Sequence, residues 1–123
     1  MKAERDAENI VKPKIRDYSR QVLICTGPRC TQNGEGEALF NALQAKFRAA
    51  GLGVDAGPAR VKRTRTGCVA ACQGGPIVAV QPDGVWYYNV TDENMDRIIE
   101  QHLKGGQVVE DLVFHRNGEG DPC

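Results

Sequence analysis

The chain has 123 residues, of which 41% are hydrophobic, and its 16 basic and 16 acidic side chains leave no net charge at neutral pH. This length is enough for one domain that buries a hydrophobic core without help from disulfides. The balanced charge gives no reason to expect binding to nucleic acid or to an anionic membrane surface.

The first seventeen residues carry charges throughout and contain Pro13, so they lack the apolar stretch of a secretory signal and are not one continuous helix. No apolar run approaches the roughly 20 residues that a membrane-spanning helix needs. We therefore expect a cytoplasmic protein without a membrane span, in which residues 1–17 form a polar N-terminal extension.

The first predicted elements are a strand, a helix and a second strand. The apolar run RQVLIC, residues 20–25, reads as a short buried strand. Leu39, Leu43 and Phe47 recur every four residues and predict a helix, with Asn33 as its N-cap and Gly51 or Gly53 at its end. The segment ARVKRTRTG then predicts a second strand, which can lie parallel to the first through a crossover.

The second half predicts a hairpin followed by a helix. IVAV and VWYYNV are strands joined by the turn sequence QPDG. Thr91 caps a second helix, and Gly105 and Gly106 end it. QVVEDLVF is an edge strand or a packed tail, and residues 115–123 are a flexible C-terminal tail. The fold class is therefore α/β: residues 18–114 form one domain with a small mixed sheet flanked by two helices. The inner face of the second helix is predicted to be Met95, Ile98, Ile99 and Leu103.

Four of the five cysteines fall in pairs on loops that follow strands. Cys25 and Cys30 follow the first strand, and Cys68 and Cys72 follow the second, which gives the spacing C-x4-C, 37 residues, C-x3-C. Ligands collect at the carboxyl ends of strands in open α/β sheets, so the four thiolates are expected to converge on a metal centre there. Cys123 ends the flexible tail and reads as a free thiol.

The spacing leaves three kinds of site open. Four cysteines can form a tetrahedral structural zinc site. A dithiol–disulfide couple is a second kind, although neither pair has the C-x-x-C spacing of redox motifs. A [2Fe–2S] cluster is the third, and wide pairs on glycine-rich loops suit its bulky core. The plant-type ferredoxin spacing fails, because Asn33 stands where a third cysteine would be.

The segments QVLICTGPRC and TGCVAACQGGPIVAV, together with the order of strands and helices, resemble the thioredoxin-like [2Fe–2S] ferredoxins. They are also similar to the small flavoprotein-partner subunit of respiratory complex I. The resemblance runs from about Tyr18 to Phe114. It implies a thioredoxin-like fold, one-electron transfer to and from redox partner proteins, and often a homodimer. It also implies a cluster bound by Cys25, Cys30, Cys68 and Cys72.

Three functions follow from these patterns. The leading one is a free-standing one-electron carrier with a [2Fe–2S] cluster. A second is an electron-relay subunit of an NAD-linked dehydrogenase or hydrogenase complex, and a third is a structural four-cysteine zinc module. An independent enzyme is not expected, because the sequence contains no nucleophile–base pair, phosphate loop or carboxylate dyad.

Basic residues lie close in sequence to both cysteine loops. Arg29, Lys62, Arg63 and Arg65 either form a basic rim that steers an acidic electron partner or simply occupy a solvated strand end. Arg29, Arg63 and Arg65 are also candidates for stabilising the negative charge of a reduced cluster.

Aromatic residues fill the predicted hairpin. Trp86, Tyr87 and Tyr88 are expected to be divided between core and surface, and an exposed one could form a dimer face. His102 is expected to be structural or exposed. Pro76 either stiffens its loop or forms a cis bond, and the sequence does not decide between these.

Overall fold

The computed structural model describes residues 10–27, 33–67 and 73–117. Five strands form one sheet in the spatial order β2-β1-β3-β4-β5. β1 pairs in parallel with β2, and the remaining pairs are antiparallel. The predicted mixed sheet is confirmed. The strands are β1 (Arg20–Cys25), β2 (Val61–Thr66), β3 (Val78–Gln81), β4 (Val85–Tyr87) and β5 (Val113–Arg116).

Two helices pack against this sheet. Helix α1 spans Glu35–Ala49 and helix α2 spans Asp92–Ile98, which continues into a π-helical segment, Ile99–Lys104. Short 3₁₀ turns lie at Gly57–Ala59 and Glu110–Leu112. The predicted inner faces of both helices are buried in one core with the central strands. The helical residues of this core are Leu39, Leu43, Phe47, Met95, Ile98, Ile99 and Leu103.

The start of α1 differs from the prediction. The N-cap is Gly34, with φ 78°, and not Asn33. The hydrogen bond is reversed: the side chain of Glu35 accepts from the backbone N–H of Asn33 at 3.0 Å. Asn33 therefore contributes its backbone N–H as a donor, and its side chain does not cap α1. At the other end the prediction is confirmed, because Gly51 follows the helix with a left-handed φ of 77°.

The start of α2 follows the prediction. The Thr91 hydroxyl accepts from the N–H of Asn94 at 3.2 Å, as expected of an N-cap. The hairpin turn also lies where QPDG predicted it, between β3 and β4. The Gly75–Pro76 and Gln81–Pro82 peptide bonds are both cis.

The final strand extends further than predicted. β5 begins only at Val113 and includes His115 and Arg116, which the sequence assigned to the tail. Pairing with β4 holds these residues, and the Trp86 indole N–H donates to the Asn117 side chain at 3.1 Å. The composition of HRNGEG suggested a loop, but contacts that are distant in sequence make part of it a strand.

A buried polar network ties α2 to the hairpin. His102 is fully buried, and its Nε2 lies 2.6 Å from a carboxylate oxygen of Asp83. Its Nδ1 lies 2.7 Å from the Tyr87 hydroxyl, which also accepts from the N–H of Val109 at 3.1 Å. Because the carboxylate can only accept, Nε2 donates to it, and in the neutral imidazole Nδ1 then accepts from the Tyr87 hydroxyl. Arg20 completes the network with a 3.0 Å ion pair to Asp83.

We expect Asp83→Asn to destabilise the protein. Burial raises the pKa of Asp83, but its hydrogen bonds with His102 and Arg20 outweigh burial and hold that pKa below its ordinary value of 3.8. A lowered folded-state pKa stabilises the fold fully above the ordinary value and loses effect only as the pH falls below it. At pH 7 the variant should therefore lose about 1–2 kcal/mol, measured as a lower thermal midpoint.

The matched control is Asp111→Asn, which breaks the exposed ion pair with Arg97. Solvent screens exposed pairs, so this variant should change the midpoint much less than Asp83→Asn. Equal shifts for the two variants would show that the buried network contributes nothing beyond a surface ion pair.

Candidate metal centre

Cys25 is the last residue of β1 and is fully buried. Its backbone N–H donates to the carbonyl of Ile77 at 3.1 Å. Its side chain lies in a small apolar cluster with Ile77, against which the partly buried Trp86 packs. The thiol therefore lies on a central strand and is shielded from water.

The two cysteine-bearing loops leave the sheet side by side. The parallel register sets Cys25 opposite Thr66, the last residue of β2. The N–H and the hydroxyl of Thr26 both donate to the Thr66 carbonyl, at 2.8 and 3.0 Å. A Cβ placed on Gly27 would lie only 2.1 Å from the carbonyl oxygen of Gly67, so the two backbones touch. This contact lies one residue before Cys68 in the chain.

Three of the predicted ligands lie outside the described residues. Cys30, Cys68 and Cys72 fall in the segments 28–32 and 68–72, as does Arg29, while Cys123 falls in the C-terminal segment. The structure therefore places Cys25 and the points at which both loops begin and end. The full ligand set stays a prediction.

The second loop is tied to β1 at both of its ends. It begins after Thr66, whose carbonyl binds Thr26, and it returns at Ile77, whose carbonyl binds Cys25. On the return, the carbonyls of Gly74 and Pro76 accept from the N–H groups of Asn89 and Val90 at 2.7 and 3.0 Å. The described residues on both sides of the second loop therefore lie beside the end of β1, which sequence spacing alone could not establish.

The beginning of α1 packs on the same edge. A Cβ on Gly36 would meet the carbonyl oxygen of Cys25 at 2.2 Å, so a residue with a side chain would not fit there. This close approach brings the N-terminal end of α1 against the backbone of Cys25.

The arginines near this edge already have partners within the domain. The guanidinium of Arg63 donates to the carbonyl of Phe40 at 3.0 Å and lies 4.1 Å from the centre of the Phe40 ring. Arg65 forms an ion pair with Glu37. Arg65 therefore brings little net positive charge, whereas Arg63 keeps its own. Their predicted effect on a reduced cluster stays a prediction.

The residues present fit an iron–sulfur cluster. Four thiolates are the donor set of [2Fe–2S] centres, and the close approach of Gly27 to Gly67 brings together the points at which the two cysteine loops begin. Within residues 10–27, 33–67 and 73–117, no group of three His, Cys, Asp or Glu side chains could hold a metal ion. Among those residues nothing competes with the cysteine loops as a metal site.

The sequence matches one protein-family model, described as thioredoxin-like [2Fe–2S] ferredoxin, over residues 14–103. The 2Fe–2S ferredoxin of Aquifex aeolicus (strain VF5) is 37% identical over 100 residues, which are 79% of this chain and 90% of that protein. A putative 2Fe–2S ferredoxin of Priestia megaterium is 38% identical over 107 residues, or 86% of this chain and 79% of that protein.

A 2Fe–2S ferredoxin of Clostridium pasteurianum is 51% identical over a shorter stretch of 47 residues, which are 38% of this chain and 46% of that protein. Solved structures agree with these relatives. A structure of the thioredoxin-like [2Fe–2S] ferredoxin from Aquifex aeolicus superposes with a TM-score of 0.69 at 35% identity, covering 86% of this chain and 98% of that one. Its wild-type crystal structure at 1.5 Å resolution gives a TM-score of 0.67 at 36% identity, covering 80% and 99%.

We expect Gly27→Ala to separate the two loops. Because the added Cβ would lie 2.1 Å from the Gly67 carbonyl oxygen, the backbones must move apart. Overpacking of this kind costs about 1–3 kcal/mol. The variant should show a lower thermal midpoint and less bound iron per chain.

Gly67→Ala is the matched control, since no described atom lies within 4 Å of a Cβ placed there. It should behave nearly like the wild type. The importance of the loop contact would be refuted if both variants lost iron and stability to the same extent.

Proposed function

This chain belongs to the thioredoxin-like [2Fe–2S] ferredoxin family, and we propose that Cys25, Cys30, Cys68 and Cys72 are the ligands of its cluster. The observation that carries this assignment is the contact between Gly27 and Gly67, which starts the two cysteine loops at one edge of the sheet. The buried Cys25 lies at that edge, so thiolates from both loops can reach a common centre.

When bound, the cluster accepts and returns one electron, which is the activity of an electron carrier. The chain supports this in three ways. Burial of Cys25 keeps water away from at least one ligand. The N-terminal end of α1, at Gly36, lies against the backbone of Cys25. The hydrogen bonds of Cys25 to Ile77 and of Thr26 to Thr66 hold the described residues on either side of the second loop beside β1.

We favour a free-standing carrier over a subunit of a dehydrogenase or hydrogenase complex. The matched region covers 90% of the Aquifex aeolicus relative and 98% of a solved chain, and both of these are named as ferredoxins. This likeness supports a protein that carries electrons between partner proteins and catalyses no reaction of its own.

The proposed partners are an electron-donating reductase and an acceptor enzyme, and the proposed location is the cytoplasm. A reducing compartment keeps ligand cysteines from forming disulfides. In the described part of the chain, no helix has both the length and the apolar character to cross a membrane. The balanced charge of the chain favours protein partners over nucleic acid.

A homodimer through the β5 edge is a further proposal. Of the hairpin aromatics, Tyr87 is buried and Tyr88 remains 41% exposed. The Tyr88 ring packs edge-to-face on Phe114, itself 44% exposed, with centroids 6.2 Å apart. Exposed aromatic pairs of this kind are common at the centres of protein interfaces.

Serine substitution tests the ligand set. Replacing Cys25, Cys30, Cys68 or Cys72 should sharply reduce visible absorbance and bound iron, because each change removes one thiolate from the cluster. Cys123→Ser is the control and should leave both unchanged. Anaerobically purified wild-type protein should contain about two irons and two sulfides per chain and should give an EPR signal only after reduction.

Two outcomes would contradict the assignment. A normal cluster in Cys68→Ser would mean that a different set of residues binds the irons. Colourless wild-type protein with one zinc per chain would replace electron transfer with the structural zinc module.

The dimer is tested by Phe114→Ser. Because this change removes half of the exposed aromatic pair, light scattering should show the wild type at twice the mass of one chain and the variant closer to one. Ile15→Ser removes an exposed apolar side chain elsewhere and should leave the mass unchanged. A monomeric wild type would refute the dimer.

A further inference from the structure

The basic side chains of the folded domain divide into two groups. Among described residues from Ser19 onward, six lysines and arginines form ion pairs with carboxylates and four do not. The four without a carboxylate partner are Arg48, Arg60, Lys62 and Arg63, and all of them line one groove. Among the described residues from Ser19 onward, the basic side chains without a carboxylate partner are thus gathered in one groove.

This basic groove lies between α1 and the open edge of β2. Its volume is about 260 Å³, and no acidic residue lines it. Phe40 and Gln44 of α1 form one side, opposite the basic residues of β2. In the described sheet β2 pairs only with β1, so its outer edge is free of a neighbouring strand.

Two of the four cations are held in place without losing their charge. Arg63 is fixed by the carbonyl and the ring of Phe40. The Lys62 ammonium lies 4.5 Å from the centre of the Tyr18 ring. A carbonyl or an aromatic ring orients a cation but does not neutralise it. Side chains that are already ordered lose less conformational entropy when an anionic partner binds.

The groove is joined to the cluster edge by a single strand. From Arg63, β2 runs to its last residue, Thr66, and Gly67 follows it, four residues from Arg63, or about 13 Å at the usual rise per residue. Gly67 is the residue that contacts Gly27 where the cysteine loops begin. A partner that occupies the groove would therefore lie within about 13 Å of the point where the cysteine loops begin.

We propose that the basic groove is the docking site for an acidic segment of the redox partner protein. This inference rests on the proposed function, because only an electron carrier needs such a partner. A second copy of the chain is disfavoured there, since its exposed N-terminal residues carry Lys12, Lys14 and Arg16 and two groove edges would repel each other. The groove is also short, and elsewhere in the described part of the domain the basic side chains are paired with carboxylates, so they form no continuous basic surface to follow a nucleic-acid backbone.

A decaglutamate peptide serves as the probe for this site. The full chain with its cluster, labelled with ¹⁵N, is titrated with the peptide at low salt. Amide signals of Arg48, Lys62 and neighbouring residues should shift, and raising the salt concentration should weaken the binding. The double variant Arg60→Gln, Lys62→Gln should raise the dissociation constant about fivefold, and it leaves the contact between Arg63 and Phe40 intact.

The control is Lys12→Gln with Lys14→Gln, which removes the same charge from the exposed N-terminal segment. It should change the dissociation constant less than about twofold. Equal weakening in both double variants, or no binding by the wild type, would overturn the docking site. Tighter groove binding of a decathymidylate strand than of decaglutamate would also overturn it and assign the groove to nucleic acid.

Iron and sulfide counts on the same samples separate this inference from the proposed function. A normal cluster in every variant, together with weakened peptide binding only in the groove variant, supports both. A normal cluster with unaffected peptide binding would refute the docking site and leave the proposed function intact. A wild type without a cluster removes the proposed function and the docking inference with it.

Discussion

The parallel pairing of β1 with β2 is the constraint on which the rest of the site depends. It sets Cys25 opposite Thr66 and places Gly27 against Gly67. A shift of one residue would move the second loop by about 3.3 Å along the strand and turn every β2 side chain to the other face. Two loops that are 37 residues apart in sequence would then no longer begin together.

The position of β1 inside the sheet makes this pairing rigid. β1 is bonded to β2 on one side and to β3 on the other. Just before β3, where the second cysteine loop returns, the carbonyl of Ile77 accepts the N–H of Cys25. The loop is consequently fastened at both ends to one strand. The backbone thus fixes Cys25 and the described residues that flank the second loop.

The glycines at this edge are required by the close packing of the same strand. Gly27 and Gly36 lie where a carbonyl oxygen approaches to within about 2 Å of the position a Cβ would take. Only a residue without a side chain permits that approach while the strand and the helix keep their places. The glycine content of the loops therefore follows from packing as well as from turn geometry.

Most of the fold could be predicted because its signals are local. Helical spacing of Leu39, Leu43 and Phe47 marks α1, and Thr91 marks the start of α2 by a side chain that bonds within its own first turn. The cysteine spacing and the order of strands also predicted which loops would share one edge, and the pairing of β1 with β2 confirmed it.

The differences from prediction have two causes. Asn33 was predicted to cap α1, but the N-cap is Gly34, and the Asn33 N–H donates to the nearby side chain of Glu35. The strand character of His115 comes from Trp86 on the neighbouring strand β4, a partner far away in sequence that HRNGEG does not reveal. His102, predicted to be structural or exposed, is structural, because it is fully buried and hydrogen-bonded. Its position four residues after Ile98 was a signal for the buried face, although nothing in the sequence named Asp83 as its partner.

The distribution of charge on the surface likewise cannot be read from composition alone. A net charge of zero correctly argues against strong attraction of the whole molecule to an anionic surface. It says nothing about which charges are cancelled locally, because that depends on pairs such as Arg97 with Asp111 that form only on folding. Among the described residues from Ser19 onward, six basic side chains are paired, and the other four line the groove beside β2. Folding thus gives an electrically balanced sequence an uneven charge on its surface, with a basic groove beside β2, the strand that runs toward the start of the second cysteine loop.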